Sequence, residues 1–591
     1  MLGKVCSSKF GKLYIAVRSI MTVIGPIVAL SSTIFLGLLI DEITKQCRFE
    51  KIALYILGLT AIPMIWGIGS HIIVYFVTSK IEYSLTRSFE AEFYEHLSHL
   101  DYDFYDRPEL QDMCSEASEV VMNDFIGSVN SVCTFISAIV SLVTVSALIT
   151  SLNWLVGIII LLNVIFNHFI SKKYKSKIVA MDAEYHKRWR HHWIYSYILD
   201  SDLAAKEVRL FGLDKFIVNK ITESSKIRDE VSRKKDLFSR IAGCTQILTS
   251  FVQNAAIYCF AVGAVIAKKI SVGYMTISVS AASQLYGTLN SLSQLYLNLY
   301  QTSAKITKYI DFMKLAGYQY STGDKEPKWD KNSIIEFKNV SFCYPGSERM
   351  VIDNLNIKIG YGEKLAVVGE NGSGKSTFVK LITRLYVPSK GEILLNGISI
   401  YEYDYTKYQE LFSPVFQDYQ LYDMTFEENV ALSENPDIEK VEKAYISAEL
   451  GGFIDKLPKK SKTQLGKNID PEGVNLSGGE GQRIAIARAK YHDRDIFILD
   501  EPTAALDPNA EQEIYTRFHD MIRGKTAVLI THRLSAVQLA DKIAVFDDGH
   551  VCEYGTHDEL YKKGGKYAEM FDKQAQFYRN TEAVSSENDK L

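Results

Sequence analysis

Gly369-Glu-Asn-Gly-Ser-Gly374-Lys375-Ser376 decides the reading of the C-terminal half. It matches GxxxxGK[ST], with the β-rich run Lys364–Val368 before it and a helical run, Thr377–Arg384, after it. Glycines let the backbone bend so that successive N–H groups point at phosphate oxygens, and the following helix adds the positive end of its dipole. Gly369, Asn371, Gly372, Ser373, Gly374, Lys375, Ser376 and Thr377 are therefore expected to hold a polyphosphate. Lys375 would reach the β- and γ-phosphates, and Ser376 would ligate Mg²⁺.

About 120 residues on, Ile496-Phe-Ile-Leu499 reads as a buried strand ending in Asp500 and Glu501. Asp500 suits a Mg²⁺ ion held through its water shell. Glu501 can polarise an attacking water. Such a run is weak evidence alone and strong evidence beside the phosphate loop.

Between the two lies Leu476-Ser-Gly-Gly-Glu480, where Ser477, Gly478 and Gly479 open a helix as a second anion nest. With this motif the chain resembles the ATP-binding-cassette transporter superfamily, over Ser333 to about Gln574. The resemblance implies ATP and Mg²⁺ as ligands. It also implies that Ser477–Gly479 close on the nucleotide of a partner, so that the working form is a dimer. By the same resemblance Tyr344 stacks on adenine, Gln417 senses Mg²⁺ and couples to the membrane half, Ala505-Leu506-Asp507 passes between the two ATPases, and His532 contacts the γ-phosphate. Glu501, His532 and Gln417 are thus the catalytic candidates, and Ser376, Gln417 and Asp500 the metal candidates.

The N-terminal half has a different texture. Six stretches approach the roughly 20 apolar residues that cross a bilayer: Ile15–Ile40, Ile52–Val77, Phe125–Thr150, Leu152–Ile170, Ile241–Ile266 and Val272–Leu297. Lys4, Lys9 and Lys12 precede the first, with no acid among them, which places the N-terminus in the cytoplasm. Alternation then puts the long charged connections Ser79–Asp124 and Ser171–Arg240 inside, together with everything after Tyr300. Asp101–Pro108 and Asp202–Phe211 are candidate tips that sit on the ATPase, the first of them near Gln417. The sixth stretch sets Gln284, Thr288, Ser291, Gln294 and Asn298 on one helical face, which either lines a cavity or joins helices. Arg18 is expected to snorkel, and His168 to pack or hydrogen-bond.

The expected architecture is an all-α polytopic membrane domain of six transmembrane helices (the type IV exporter fold the resemblance implies), followed by an α/β P-loop ATPase domain. The boundaries are 1–316 for the membrane domain, 317–332 for a polar linker, 333–575 for the ATPase and 576–591 for a tail. A net charge of -4 over 591 residues points away from nucleic acid, and eight scattered cysteines without a CxxC pair favour neither zinc nor a disulfide framework.

Within the superfamily the membrane half resembles lanthipeptide and related bacterial peptide exporters, through Tyr105-Asp-Arg-Pro-Glu-Leu110, Trp193-Ile-Tyr, Ala205-Lys-Glu-Val-Arg-Leu210 and Thr463-Gln-Leu-Gly466. The resemblance implies a plasma-membrane exporter of an amphipathic peptide, modified or not. A multidrug or lipid exporter of the same architecture stays open, as does an ATP-gated channel. Only about a dozen residues precede the first span, so no cargo processing is expected. Intact Glu501, His532 and LSGGE on one chain make a homodimer simpler than a heterodimer. Gly466-Lys-Asn-Ile-Asp-Pro-Glu-Gly473 departs from the Gly-Glu-x-Gly of multidrug exporters.

Overall fold

In the computed structural model, residues 9–45, 48–149, 154–317, 323–501, 518–531, 537 and 539–573 are described. The chain separates into two units: Met1–His96 with Asp112–Lys314, and Leu97–Gln111 with Leu315–Leu591.

The first unit is helical throughout. Its helices are α1 (Lys9–Lys45), α2 (Phe49–Ile73), α3 (Ser79–Ser98), α4 (Pro108–Glu119, entering from the second unit), α5 (Phe125–Ile149), α6 (Trp154–Asp200), α7 (Asp202–Leu210), α8 (Asp214–Ile266) and α9 (Val272–Phe312). One π-helical turn, Val74–Thr78, joins α2 to α3, and another, Val120–Asp124, joins α4 to α5. Among the described residues five stretches are long and apolar enough to cross a membrane: Phe10–Lys45, Phe49–Ser98, Phe125–Val145, Val156–Ile178 and Asp214–Ile266. The sixth helix, α9, has the length at 41 residues but carries the polar stripe. Helix α2 buries no residue, as an apolar helix facing lipid tails would.

That polar stripe ties helices together. Gln284 Nε2 donates to Thr33 Oγ1 on α1 at 3.0 Å, and Thr288 bonds Ser141 on α5 at 2.9 Å. Lys175 Nζ donates to Asn298 at 2.5 Å, and Ser293, off the stripe, bonds His168 on α6 at 2.8 Å. These bonds favour the helix-joining meaning at Gln284 and Thr288, while Ser291 is exposed. A second network joins α6 to α8, where Asn163 Nδ2 donates to Gln253 Oε1 at 2.6 Å and Asn167 Nδ2 to Thr249 Oγ1 at 2.9 Å. Each bond satisfies a group that lipid could not. Arg18 has an ion-pair partner: Nη2 lies 3.4 Å from Glu82 Oε1, which also accepts from Tyr14 at 2.6 Å. At the other end of α1, Asp41 accepts from the backbone of Gly273 at 2.8 Å and from Ser271 Oγ at 2.6 Å, anchoring the start of α9. The helices approach so closely there that a Cβ on Gly273 would lie 2.1 Å from the Gly37 carbonyl oxygen.

The second unit holds two sheets. Strands β1 (Ile334–Phe342), β2 (Ile352–Gly360), β4 (Lys390–Leu395) and β5 (Ile398–Ser399) form an antiparallel sheet in the order β2-β1-β4-β5. Strands β3 (Lys364–Gly369), β6 (Phe412–Val415), β7 (Ile496–Asp500), β8 (Thr526–Ile530), β9 (Lys542–Asp547) and β10 (His550–Gly555) form the other, in the order β10-β9-β3-β8-β7-β6. All its pairs are parallel except β9 with β10. Every residue of β7 and β8 is buried, as expected of strands covered on both faces. Helix α10 (Lys375–Ile382) leaves the end of β3, and α11 (Gly478–His492) precedes β7. From Gly323 the chain is already strapped to this unit: Lys325 N donates to the Glu402 carbonyl at 3.2 Å, and Asp404 N to the Lys325 carbonyl at 2.9 Å.

Candidate nucleotide site

The site sits at the carboxyl ends of β3 and β7, where open parallel sheets place their ligands. Gly369 ends β3 so near β9 that a Cβ would meet the Phe546 carbonyl oxygen at 2.3 Å, and Gly374 caps α10 with φ of 104°. The loop between them folds over Lys375, whose Nζ donates to the carbonyls of Gly369 at 2.9 Å and Glu370 at 2.8 Å. The ammonium is buried. Burial pulls its pKa down, against the opposing pull of Glu501 and Asp500. Ser376 is exposed on the first turn of α10, and the Ser373 hydroxyl is buried without a partner.

Asp500 ends β7 at 6% exposure, with Oδ1 buried and lacking any hydrogen-bond partner. Burial, then Glu501 and Asp418, push its pKa up to about 6, while Lys375 and Lys380 pull the other way. A carboxylate oxygen desolvated and unsatisfied in this way is the donor a hard divalent cation takes. Ser376, Gln417 and Asp500 supply oxygen donors of the kind that would hold Mg²⁺. Glu501 follows in a left-handed turn with φ of 45°, its backbone N–H bonded to the Ile530 carbonyl at 3.0 Å. Gln417 Nε2 donates to Glu501 Oε2 at 3.3 Å, so two candidates 84 positions apart meet.

Tyr344 is half-buried beside the phosphate loop. Its hydroxyl bonds Thr377 Oγ1 at 3.0 Å, and its ring meets that of Tyr386 edge-on at 5.3 Å. Ser477 caps α11: its hydroxyl accepts from Glu480 N at 3.3 Å while Glu480 Oε2 accepts from Ser477 N at 2.8 Å. Ser477 and Gly478 are exposed, and among the described residues no hydrogen bond joins Ser477–Gly479 to the phosphate loop. His532 and the loop Ala505–Asp507 lie outside the described residues.

The aromatic tip 101–108 belongs to the second unit. It lies on the ATPase, where it meets Tyr386: Tyr102 stands edge-on to Tyr386 at 5.4 Å, and the Tyr386 hydroxyl donates to Asp106. A cavity of about 330 Å³ separates this segment from Cys343 and Tyr344, lined also by Asp103 and Arg107. Tyr386 and Asp418 are the residues that motif reading missed. Asp418 had one signal, its place next to Gln417. Tyr386 had none.

The ABC transporter family model matches residues 352–504, and the ABC transporter transmembrane region model matches 17–289. The subtilin transport ATP-binding protein SpaT of Bacillus subtilis is 31% identical over 505 residues, 84% of this chain and 81% of SpaT. The chain belongs to the ABC transporter family. The nisin transport ATP-binding protein NisT of Lactococcus lactis subsp. lactis is 28% identical over 84% of this chain and 83% of its own. An ATP-dependent lipid A-core flippase of Paraburkholderia xenovorans (strain LB400) is 28% identical over 87% and 85%. A solved bacterial Atm1-family ABC exporter with ATP bound superposes with a TM-score of 0.80 over 95% of this chain and 98% of its own, at 23% identity. The ABC exporter is accordingly a multi-pass membrane protein with a cytoplasmic ATPase domain, and ATP hydrolysis is coupled to its transport.

Proposed function

We propose that this ABC transporter exports an amphipathic peptide as a homodimer, with each ATP held between two copies. The peptide reading rests on the likeness to the subtilin transport protein across more than four-fifths of both chains. In the site, Gly369–Thr377 bind the phosphates, Tyr344 holds the base, and Ser477–Gly479 of a second copy close over the γ-phosphate. Bound at Ser376, Asp500 and Gln417, Mg²⁺ would supply charge neutralisation. Glu501 takes the proton of the attacking water, held in place by Gln417, and His532 contacts the γ-phosphate. ATP favours the closed pair of ATPases and hydrolysis releases it, so the membrane halves alternate between two states. The membrane domain is residues 1–316, the linker 317–332, the ATPase 333–575 and the tail 576–591.

A lipid cargo is the second reading, favoured by the similarity to the lipid A-core flippase. The experiment is ATP hydrolysis by the full chain in nanodiscs, with a lanthipeptide precursor or with lipid A-core added. Stimulation by the precursor supports the peptide reading. Stimulation by the lipid alone replaces it.

A further inference from the structure

The two cytoplasmic connections carry opposite charge. Ser79–Asp124 contains twelve carboxylates against three Lys or Arg, a net of -9. Ser171–Arg240 contains seventeen Lys or Arg against ten carboxylates, a net of +7. The whole chain, at -4, conceals this. Topology does not account for it: the positive-inside bias favours Lys and Arg in every short cytoplasmic loop and is nearly indifferent to acids, yet only one of these two connections is basic.

Part of each charge lacks an ion-pair partner among the described residues. In the second connection the ion pairs are short-range: Arg188 with Glu184 at 2.6 Å, Lys220 with Glu223 at 3.8 Å and Arg228 with Asp229 at 3.1 Å. Lys172, Lys173, Lys226, Arg233 and Arg240 are exposed and form no ion pair among the described residues. In the first connection Glu82 meets Arg18, Asp103 meets Arg107, and Glu119 and Glu116 meet Lys305 and Lys308. Glu90 and Glu109 form no ion pair among the described residues. Helix α3 buries Ile81, Leu85, Phe89 and Phe93 in one stripe, which leaves Glu90, Glu92 and Glu95 outside it.

We propose that the acidic connection Ser79–Asp124 of one copy docks on the basic connection Ser171–Arg240 of a second copy, and that this pairing selects like chains as partners. One chain carrying both signs is self-complementary: in a twofold dimer each contact occurs twice, acid on base and base on acid. Complementary potentials of this size speed encounter and exclude partners with the wrong pattern. The inference rests on the two-copy reading above and adds the surface that recognises the second copy.

The test uses full-length chains bearing two different tags, produced together, with recovery of the second tag on the first as the readout. One variant is Lys226→Glu with Arg233→Glu; the other is Glu90→Lys with Glu109→Lys. Each variant paired with itself weakens the opposition, to -9 against +3 or to -5 against +7, with the reversed positions now repelling the connection they face, and recovery falls about tenfold. The two variants paired together restore acid against base at both contacts, and recovery returns to within about twofold of wild type. That return also proves that both variants fold. Wild-type recovery by each self-paired variant, or no return in the mixed pair, overturns the proposal. If each self-paired variant dimerises as wild type does, and the basic-to-acidic one loses stimulation by phosphatidylglycerol vesicles, the basic connection serves lipid headgroups instead. Wild-type chains that never co-purify would defeat the two-copy reading as well.

Discussion

Replacing Asp500 by Asn changes stability in a way set by pH. The carboxyl is buried with one oxygen unsatisfied, and its pKa stands at about 6 rather than 3.8. A group whose folded pKa is raised contributes stability only while protonated, below its unfolded pKa, and loses it as pH rises through the folded value. From pH 4 to about pH 6, then, nucleotide-free protein is progressively weakened by ionised Asp500, to a limit of about 3 kcal/mol. Asn carries no such charge. Its own packing and hydrogen bonding add an offset, but that offset is independent of pH and drops out of the slope. For an ATPase domain of this size about 3 kcal/mol corresponds to roughly 6–12 °C in Tm. The assay is thermal unfolding of metal-free and nucleotide-free wild type and Asp500→Asn from pH 4 to 8. The Tm of the variant minus that of wild type should climb from pH 4 to about pH 6 and level off above. Adding ATP with Mg²⁺ should raise the wild-type Tm and leave the variant little changed. A difference that stays flat with pH would refute the claim that burial strains this carboxylate in readiness for a cation.

Glu501→Gln should keep ATP binding while hydrolysis falls about 10²–10⁴-fold, measured by phosphate release; near-normal turnover would remove Glu501 as the base. Gly273→Val should destabilise the membrane unit by about 1–3 kcal/mol, because its side chain has to displace the Gly37 backbone, whereas Gly263→Ala, which meets open space, should be nearly neutral in thermal unfolding. Asp103→Cys should react with native Cys343 through a short bifunctional maleimide, since both line one cavity. Its capture by Gln417→Cys in place of Cys343 would return the aromatic tip to the neighbour that the sequence first indicated.

What sequence reading reached was whatever is local. The phosphate loop, the strand running into Asp500 and the capped helix at Ser477 are short motifs whose geometry follows from glycine, dipole and pattern, so residue numbers could be assigned to them directly. The meeting of Gln417 with Glu501 came only through family likeness, since 84 positions separate them. Tyr386 with Asp106 came from nowhere, being a pairing across 280 positions with no motif at either end. The polar stripe of α9 shows the same boundary. Periodicity located Gln284 and Thr288 on one face, but whether that face meets water or protein depends on Thr33 and Ser141 from other helices. The partner of Arg18 was out of reach for the same reason, as Glu82 lies beyond the next span.

The central claim is that one chain's phosphate loop works with the signature turn of another. A dimer purified through two tags, pairing a Lys375→Ala chain with a Gly478→Asp chain, tests it most directly. Shared sites gather both lesions at one nucleotide and leave the other intact, so ATP hydrolysis should recover to about half of wild type although each variant alone is dead. A mixed dimer as inactive as its parents would mean that each chain uses its own pair of motifs, contradicting the account.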